Sequence, residues 1–186
     1  MRTRLVSILA LLLLPANAFA HMHKAGAYLA YAGQEGSWLN GLQLSTELIL
    51  SDPLDLSAPF YKASLSVFAD VGAGWGEHNG GERTQAALMG GLRLTFSHHL
   101  AQPFLHVALA GVRTQDSEPN AADTSLGVDV GFGASVGFRG KQDIWKYMRL
   151  RAQADYTWLS GSDRLADHYF RVSAGLEVRF GRLAKE

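Results

Sequence analysis

The sequence lacks cysteine, an excess of charge of either sign, and any long apolar run after its first residues. Without cysteine among its 186 residues, the fold has no disulfide. The 17 basic and 17 acidic side chains balance, so charge gives no reason to expect nucleic-acid binding. Beyond the first twenty residues no apolar stretch approaches the roughly 20 residues of a membrane-spanning helix. If the chain enters a membrane, it must do so with strands.

Residues 1–20 are predicted to be a secretory signal peptide. Arg2 and Arg4 supply a positive start, residues 6–14 form a short apolar core, and Ala18-Phe19-Ala20 is a small-x-small cleavage site. The apolar core is far shorter than a membrane-anchoring helix requires. We therefore expect residues 21–186 to be exported as one mature domain, the number of domains that this length favours.

The clearest pattern in the mature chain is the strict alternation of residues 126–139. The even positions are all apolar: Leu126, Val128, Val130, Phe132, Ala134, Val136 and Phe138. The odd positions are all small or charged: Gly127, Asp129, Gly131, Gly133, Ser135, Gly137 and Arg139. Because successive side chains of a strand point to opposite faces, the pattern predicts one strand with an apolar face and a polar, glycine-lined face.

Similar alternation predicts seven further strands. The eight predicted strands are Gly26–Ala32, Trp38–Leu50, Tyr61–Trp75, Gln85–Phe96, Phe104–Ala110, Leu126–Arg139, Met148–Trp158 and Phe170–Phe180. No helical segment separates them, which favours consecutive antiparallel hairpins and an all-β, eight-stranded up-and-down barrel.

The predicted connections alternate in character. Those after the odd-numbered strands are mostly longer and polar, including residues 76–83, 115–125 and 160–168, whereas those after the fourth and sixth strands are shorter. Residues 51–59 are long for a turn at the other end of the barrel and have no explanation in the pattern.

Alternation alone does not say which face is outside, because a soluble calycin-type barrel with an apolar ligand cavity alternates equally well. The polar face is rich in glycine, serine and alanine, as a narrow eight-stranded lumen requires. It also carries charges of both signs: Lys62, Asp70, Arg93, Asp129, Arg139, Arg149, Arg151, Asp155, Arg171, Glu177 and Arg179. Aromatic residues collect at the ends of the apolar face: Trp75, Phe96, Phe138, Trp158, Phe170 and Phe180. These features favour a transmembrane β-barrel with its apolar face outward.

The second half of the chain resembles the small bacterial outer-membrane β-barrel superfamily of the OmpA/OmpX membrane-domain type. The resemblance is carried by the segments PFLHVALAG, LGVDVGFGASVGFR, RLRAQADYTWL and FRVSAGLEVRFG. It extends over the mature chain but is weaker before Tyr61. It implies a Gram-negative outer membrane, lipopolysaccharide as a neighbour, and a C-terminal strand read by the barrel-assembly machinery. Family members mostly end on an aromatic residue, whereas residues 181–186 follow Phe180 here.

The predicted strands carry two groups of residues that could have a chemical role: charged residues on the inner face, and histidines. Arg171 with Asp155, and Arg149 or Arg151 with Glu177, are predicted to pair inside and to fill the lumen. The lipid A deacylase branch of outer-membrane barrels carries a His-x-Ser pair on a late strand, but residues 154–157 here contain neither residue. His106 and His168 are the strand or strand-edge histidines nearby, and neither has an obvious serine and acid partner, so no nucleophile is activated.

Metal binding has only weak support. Cleavage after Ala20 would expose His21-Met22-His23, which can chelate copper or nickel through nitrogen. His98-His99 lies in a predicted turn, and the acidic stretch 115–125 matches no calcium loop. We therefore assign no catalytic, cofactor-binding or metal-binding residue.

The sequence thus predicts a monomeric, non-enzymatic outer-membrane barrel with a filled polar lumen and a structural or surface-interaction role exercised through its extracellular loops. The alternatives are a lipid-modifying enzyme and a small-solute pore.

Overall fold

The structure, a computed structural model, describes residues 23–34, 37–50, 54–55, 62–78, 81–97, 101–116, 122–138, 147–160 and 168–180. Within these ranges the chain forms nine strands. They are β1 (His23–Gln34), β2 (Ser37–Ile49), β3 (Leu54–Asp55), β4 (Lys62–His78), β5 (Gly81–Ser97), β6 (Ala101–Asp116), β7 (Ala122–Gly137), β8 (Met148–Ser160) and β9 (His168–Phe180). No helix in the described ranges is long and apolar enough to cross a membrane.

The eight long strands form a closed antiparallel barrel. Seven pairings run in the order β2-β1-β9-β8-β7-β6-β5-β4, and an eighth, between β2 and β4, closes the cylinder. The predicted fold class is therefore confirmed. The unexplained stretch 51–59 contributes the two-residue strand β3, in which Leu54 pairs with Ala63 and Asp55 with Lys62.

The outer surface is apolar, as predicted. Leu29, Leu109 and Phe132 are among its most exposed side chains, at 71%, 73% and 64%. The inner surface buries the charges of Arg93, Asp129, Asp155 and Arg171. Along the described strands, the outward charged side chains are confined to the ends that lead into the β4–β5 and β6–β7 connections: Glu77, Glu82 and Arg113. The described strands thus place no charged side chain in the central outer band.

The lumen is less uniformly polar than the alternation predicts. Near the β1–β2 connection it contains a buried apolar group formed by Leu39, Val112, Leu159 and Tyr169. Phe68, the exception in the β4 pattern, also points inward. An eight-stranded lumen is narrow enough for these side chains to meet across it, so apolar contacts fill part of it.

The predicted pattern of connections is wrong in two respects. Residues 76–83 and 115–125 are predicted to be loops, but the strands extend into both stretches. Only positions 79–80 separate β4 from β5, and only positions 117–121 separate β6 from β7. The connection after the sixth predicted strand was expected to be short, yet residues 138–147 separate β7 from β8. Backbone pairing continues past the apolar band because it needs no apolar side chains, so hydrophobic alternation underestimates strand length.

Several predictions lie outside the described residues: the signal peptide 1–20, His21-Met22, His98-His99, Arg139 and the tail 181–186. The side chains of His23, Lys62 and Phe180 are likewise not described.

Candidate functional site: the luminal charge network

One group of luminal charges is centred on Glu47 of β2. The Glu47 cluster consists of Lys24, Glu47, Arg93, Arg151 and Glu177. Glu47 accepts from Lys24 Nζ at 2.8 Å and from Arg93 Nη1 at 2.7 Å, and the hydroxyl of Ser66 donates to it at 2.8 Å. Arg151 Nη1 lies 3.3 Å from Glu177 Oε2 and 3.6 Å from Glu47 Oε2. Three cationic groups of the cluster therefore surround two carboxylates, and a fourth, Arg179, lies at its edge with Nε 3.9 Å from Glu177 Oε1.

Aromatic rings compensate for the surplus positive charge of the Glu47 cluster. The guanidinium carbon of Arg93 lies 4.1 Å from the centroid of Phe68 and 4.9 Å from that of Phe104. The guanidinium carbon of Arg151 lies 4.2 Å from the centroid of the same Phe104 ring and 5.5 Å from the centroid of Tyr28. A cation over an aromatic face is attracted by the ring quadrupole. Phe104 therefore serves both guanidinium groups.

A second group lies one layer away, on β6, β7 and β8. The His106 cluster consists of His106, Asp129 and Asp155, all buried. His106 Nε2 lies 3.0 Å from Asp129 Oδ1 and 3.3 Å from Asp155 Oδ1. The Oδ2 atoms of the two carboxylates accept hydrogen bonds from residues outside the cluster. Thr157 donates to Asp129 Oδ2 at 2.7 Å, and Arg171 donates to Asp155 Oδ2 from Nε at 2.8 Å and Nη2 at 2.6 Å.

Strand register brings the His106 cluster together. His106 pairs with Gly131, and Gly131 pairs in turn with Asp155, so the three residues form one row across β6, β7 and β8. A Cβ at position 131 would lie 2.4 Å from His106 Cε1 and 2.5 Å from Asp155 Oδ1. Only glycine at the middle of the row lets the imidazole and the carboxylate meet above it.

Luminal glycines of β7 are not equivalent. A Cβ at Gly133 would lie 2.4 Å from Phe104 Cζ, whereas a Cβ at Gly137 would meet nothing closer than Arg149 Nη1 at 3.8 Å. The prediction that Gly127, Gly131, Gly133 and Gly137 have no room for a larger side chain is therefore confirmed at the first three positions and wrong at Gly137. A Cβ at Gly127 would lie 2.1 Å from the carbonyl oxygen of Trp158.

Gln153 connects the two clusters. It accepts from Arg151 Nη2 at 2.8 Å and donates to Asp155 Oδ2 at 3.0 Å. At the β6–β7 end of the barrel, Arg83 and Asp116 form a separate bidentate pair at 2.6 and 3.0 Å, with Asp116 partly exposed. The lumen thus holds one continuous polar network, with a further ion pair at its rim.

The predicted internal ion pairs form in the lumen between β8 and β9. The Arg171–Asp155 pair is confirmed, and Glu177 pairs with Arg151. Arg149 instead donates from Nη2 to the carbonyl oxygen of Ser135 at 3.1 Å. The expectation that His106 has no acid partner is wrong, because the β6–β7–β8 register places two aspartates beside it.

Sequence reasoning missed Lys24 and gave Glu47 no role. The β1–β2 register pairs these residues directly, so a hairpin with its turn at 35–36 would have revealed them. The first predicted strand began only at Gly26, and the pair was lost.

The described part of the outer face carries aromatic stacks. Tyr31 and Trp38 stack with ring centroids 4.8 Å apart. Tyr156 contacts Trp158 at 4.7 Å and stacks on His168 at 5.9 Å. These rings, with Trp75 and Phe170, place aromatic side chains on the outer face, as predicted. His168 lies among them, whereas His106 faces the lumen.

No family model matches this chain, and no curated protein matches it. Several solved structures are similar to it. Neisserial surface protein A is 15% identical over 87% of this chain and 98% of its own, with a TM-score of 0.63. Ail, the attachment invasion locus protein of Yersinia pestis, solved with the heparin analogue sucrose octasulfate, is 10% identical over 86% and 97%, with a TM-score of 0.55.

The outer membrane enzyme PagL is also similar, at 12% identity over 83% of this chain and 98% of its own, with a TM-score of 0.53. Identities this low show the fold and nothing finer. Together with the closed barrel of eight long strands and its apolar exterior, they show that this chain has the fold of the small bacterial outer-membrane β-barrel proteins.

Proposed function

We propose that this protein is exported through a cleaved signal peptide and resides as a monomeric barrel in a Gram-negative outer membrane, with a structural or surface-interaction role. The observation that carries the proposal is the radial pattern: an apolar exterior around a lumen of paired charges and rings. In a lipid bilayer this pattern places apolar side chains against lipid, and the closed barrel leaves no unpaired strand edge. In water it would expose a continuous apolar belt.

The filled lumen supports a role other than solute passage. The Glu47 cluster and the His106 cluster both lie across the interior, linked by Gln153. The apolar group of Leu39, Val112, Leu159 and Tyr169 fills a further layer. A barrel of eight strands has an interior just wide enough to be filled by its own side chains.

A non-enzymatic role is supported by the placement of the histidines. Acyl-ester hydrolysis needs a nucleophile next to a base. On the outer face His168 stacks on Tyr156, and the nearby Ser160 hydroxyl donates to the carbonyl oxygen of Leu126 at 3.2 Å. These groups serve aromatic packing and strand pairing.

The partners we propose follow from the surfaces. Outer-membrane lipid, including lipopolysaccharide, would contact the apolar band, and the barrel-assembly machinery would engage β9. The polar strand ends around Glu77, Glu82 and the Arg83–Asp116 pair would form the surface that meets other molecules. Ail and Neisserial surface protein A, whose names describe attachment and a surface location, are consistent with such a role.

Cell fractionation tests the location. We expect the full chain, expressed in a Gram-negative host, to be recovered from the outer membrane without residues 1–20 and to migrate faster on gels before heating than after. Recovery as a soluble monomer in detergent-free buffer would overturn the proposal.

Two assays on the same sample test the role. We expect no size-defined conductance in planar bilayers and no change in the mass of the host's lipid A. Stable conductance would show a pore, and a loss of acyl mass from lipid A would show a deacylase.

Val67→Arg tests the lipid-facing assignment. Val67 lies on the outer face of β4, 42% exposed, and a central lipid-facing arginine costs about 2–4 kcal/mol of unfolding free energy in a barrel. Thr84→Arg is the control, since Thr84 pairs with Trp75 near the strand ends, where the cost falls to about 0–1 kcal/mol. Urea unfolding in lipid vesicles measures both. Equal costs at the two positions would contradict the assignment.

A further inference from the structure

The His106 cluster presents three donor atoms to one point in the lumen. His106 Nε2, Asp129 Oδ1 and Asp155 Oδ1 lie within 4.8 Å of one another. The imidazole nitrogen is 3.0 Å from one oxygen and 3.3 Å from the other. Ligand atoms about 2.0–2.2 Å from a tetrahedral metal ion are themselves separated by roughly 3.3 Å. The two separations from the imidazole nitrogen therefore already match the spacing of ligand atoms in a metal coordination shell.

Hydrogen bonding leaves this cluster incomplete. A single N–H on Nε2 can serve one acceptor well, and Asp129 Oδ1 at 3.0 Å takes it. Asp155 Oδ1 is fully buried, points at the same nitrogen, and has no hydrogen-bond donor within the described part of the chain. A buried acceptor without a donor costs about 1–3 kcal/mol, and more when it is charged. A cation placed between the three atoms would remove this deficit.

The surrounding residues hold the carboxylates in a ligating orientation. Thr157 binds Asp129 Oδ2, while Arg171 and Gln153 bind Asp155 Oδ2. Each aspartate therefore has one oxygen fixed by the protein and the other turned toward His106. Outer hydrogen bonds of this kind orient the ligands of protein metal sites.

Charge favours a cation here and not in the neighbouring cluster. In the His106 cluster, two carboxylates contact one guanidinium, that of Arg171. In the Glu47 cluster, three cationic side chains contact two carboxylates. A metal ion would therefore be stabilised by the first group and repelled by the second.

We propose that His106, Asp129 and Asp155 bind one divalent transition-metal ion in the lumen, with Zn²⁺ the best match. One imidazole and two carboxylates are suited to zinc, whereas calcium and magnesium take shells of oxygen. The ion would join β6, β7 and β8 through their side chains. Because the site is buried in the lumen, it strengthens the barrel rather than presenting the ion to a substrate.

Cobalt substitution tests the site. The full mature chain is refolded in detergent with Co²⁺ or Zn²⁺, and the variants are His106→Gln, Asp129→Asn and, as a control, the outward His168→Gln. We expect wild type and His168→Gln to bind one Co²⁺ with the intense visible absorption of four-coordinate cobalt, and Zn²⁺ to displace it. His106→Gln and Asp129→Asn should lose that absorption.

A further variant separates loss of ligation from loss of folding. Thr157→Val keeps the three ligands and removes a bond that orients Asp129, so we expect the absorption to remain while affinity falls about 10- to 100-fold. Heat-modifiable migration and circular dichroism check that each variant is a barrel. Undiminished cobalt absorption in a folded His106→Gln barrel would overturn the proposal, because the ion would then lie elsewhere. Absence of the absorption in wild type refolded with Co²⁺ would also overturn it.

Discussion

The two luminal clusters solve the problem of buried charge in opposite ways. The Glu47 cluster has more cations than carboxylates and places its surplus guanidinium charge on the faces of Phe68 and Phe104. The His106 cluster has more carboxylates than guanidinium groups and leaves Asp155 Oδ1 without a donor among the described residues. Aromatic faces can stabilise excess positive charge but not excess negative charge. An acid-rich cluster therefore favours an additional cation more than a base-rich cluster does.

Neutralising one carboxylate in each cluster should change the unfolding free energy most, and by very different amounts in the two clusters. Glu47→Gln leaves Lys24 and Arg93 without their anion, and removing one partner of a buried ion pair costs about 3–5 kcal/mol of unfolding free energy. Asp129→Asn reduces a surplus of negative charge, and its amide can still accept from Thr157. We expect its cost to stay near that of one ordinary hydrogen bond, about 0.5–1.5 kcal/mol.

Urea unfolding in lipid vesicles, with a chelator present to remove metal ions, measures the pair. Equal costs for the two substitutions would show that the charge surplus of each cluster is irrelevant to stability.

Adding a methyl group in each of two positions of β7 should distinguish the crowded part of the lumen from the open part. In Gly131→Ala the new Cβ meets His106 and Asp155 at 2.4–2.5 Å, and such overpacking costs about 1–3 kcal/mol. In Gly137→Ala the nearest atom is 3.8 Å away, so we expect no loss or a small gain, since alanine restricts the unfolded chain. The same unfolding assay measures both. A Gly137→Ala cost as large as that of Gly131→Ala would refute the difference in room.

The alternation of the sequence predicts the barrel and its faces because side-chain direction in a strand depends only on position along the strand. It does not predict where pairing ends. Because residues 115–125 are predicted to be a loop, the sequence does not predict the hairpin in which Gln115 pairs with Ala122. That register sets His106 beside Gly131, so the His106 cluster could not be found from the pattern.

Partners across the lumen are harder to predict than partners on adjacent strands. Asp155 and Arg171 are direct neighbours between β8 and β9, and the pair was predicted. Glu47 and Arg93 lie on β2 and β5, which are not adjacent, so the width of the barrel decides whether they meet. Alternation contains no information about that width, and these contacts therefore require the structure.

Removing the ring that serves two guanidinium groups should test the aromatic compensation. Phe104→Leu keeps an apolar side chain but removes the face that contacts Arg93 and Arg151, and a desolvated cation–π contact contributes about 0.5–2 kcal/mol. The control is Phe132→Leu on the outer face, where lipid surrounds either side chain. We expect the luminal variant to lose about 1–2 kcal/mol more than the control. Indistinguishable unfolding midpoints would show that the surplus charge is stabilised by something other than the rings.

The smallest change in unfolding free energy is expected for the solvent-exposed ion pair at the rim of the barrel. The Arg83–Asp116 pair has ideal bidentate geometry, but the Asp116 side chain is 37% exposed. Solvent-exposed ion pairs contribute about 0.2–1 kcal/mol and are screened by salt. We expect Asp116→Asn to lower the unfolding free energy within that range, and by less in high salt, whereas the cost of Glu47→Gln should be nearly independent of salt because its partners are buried. Titrating both variants with sodium chloride measures the contrast. A rim pair as costly to break as the Glu47 cluster, at every salt concentration, would mean that burial does not set the strength of charge pairing in this barrel.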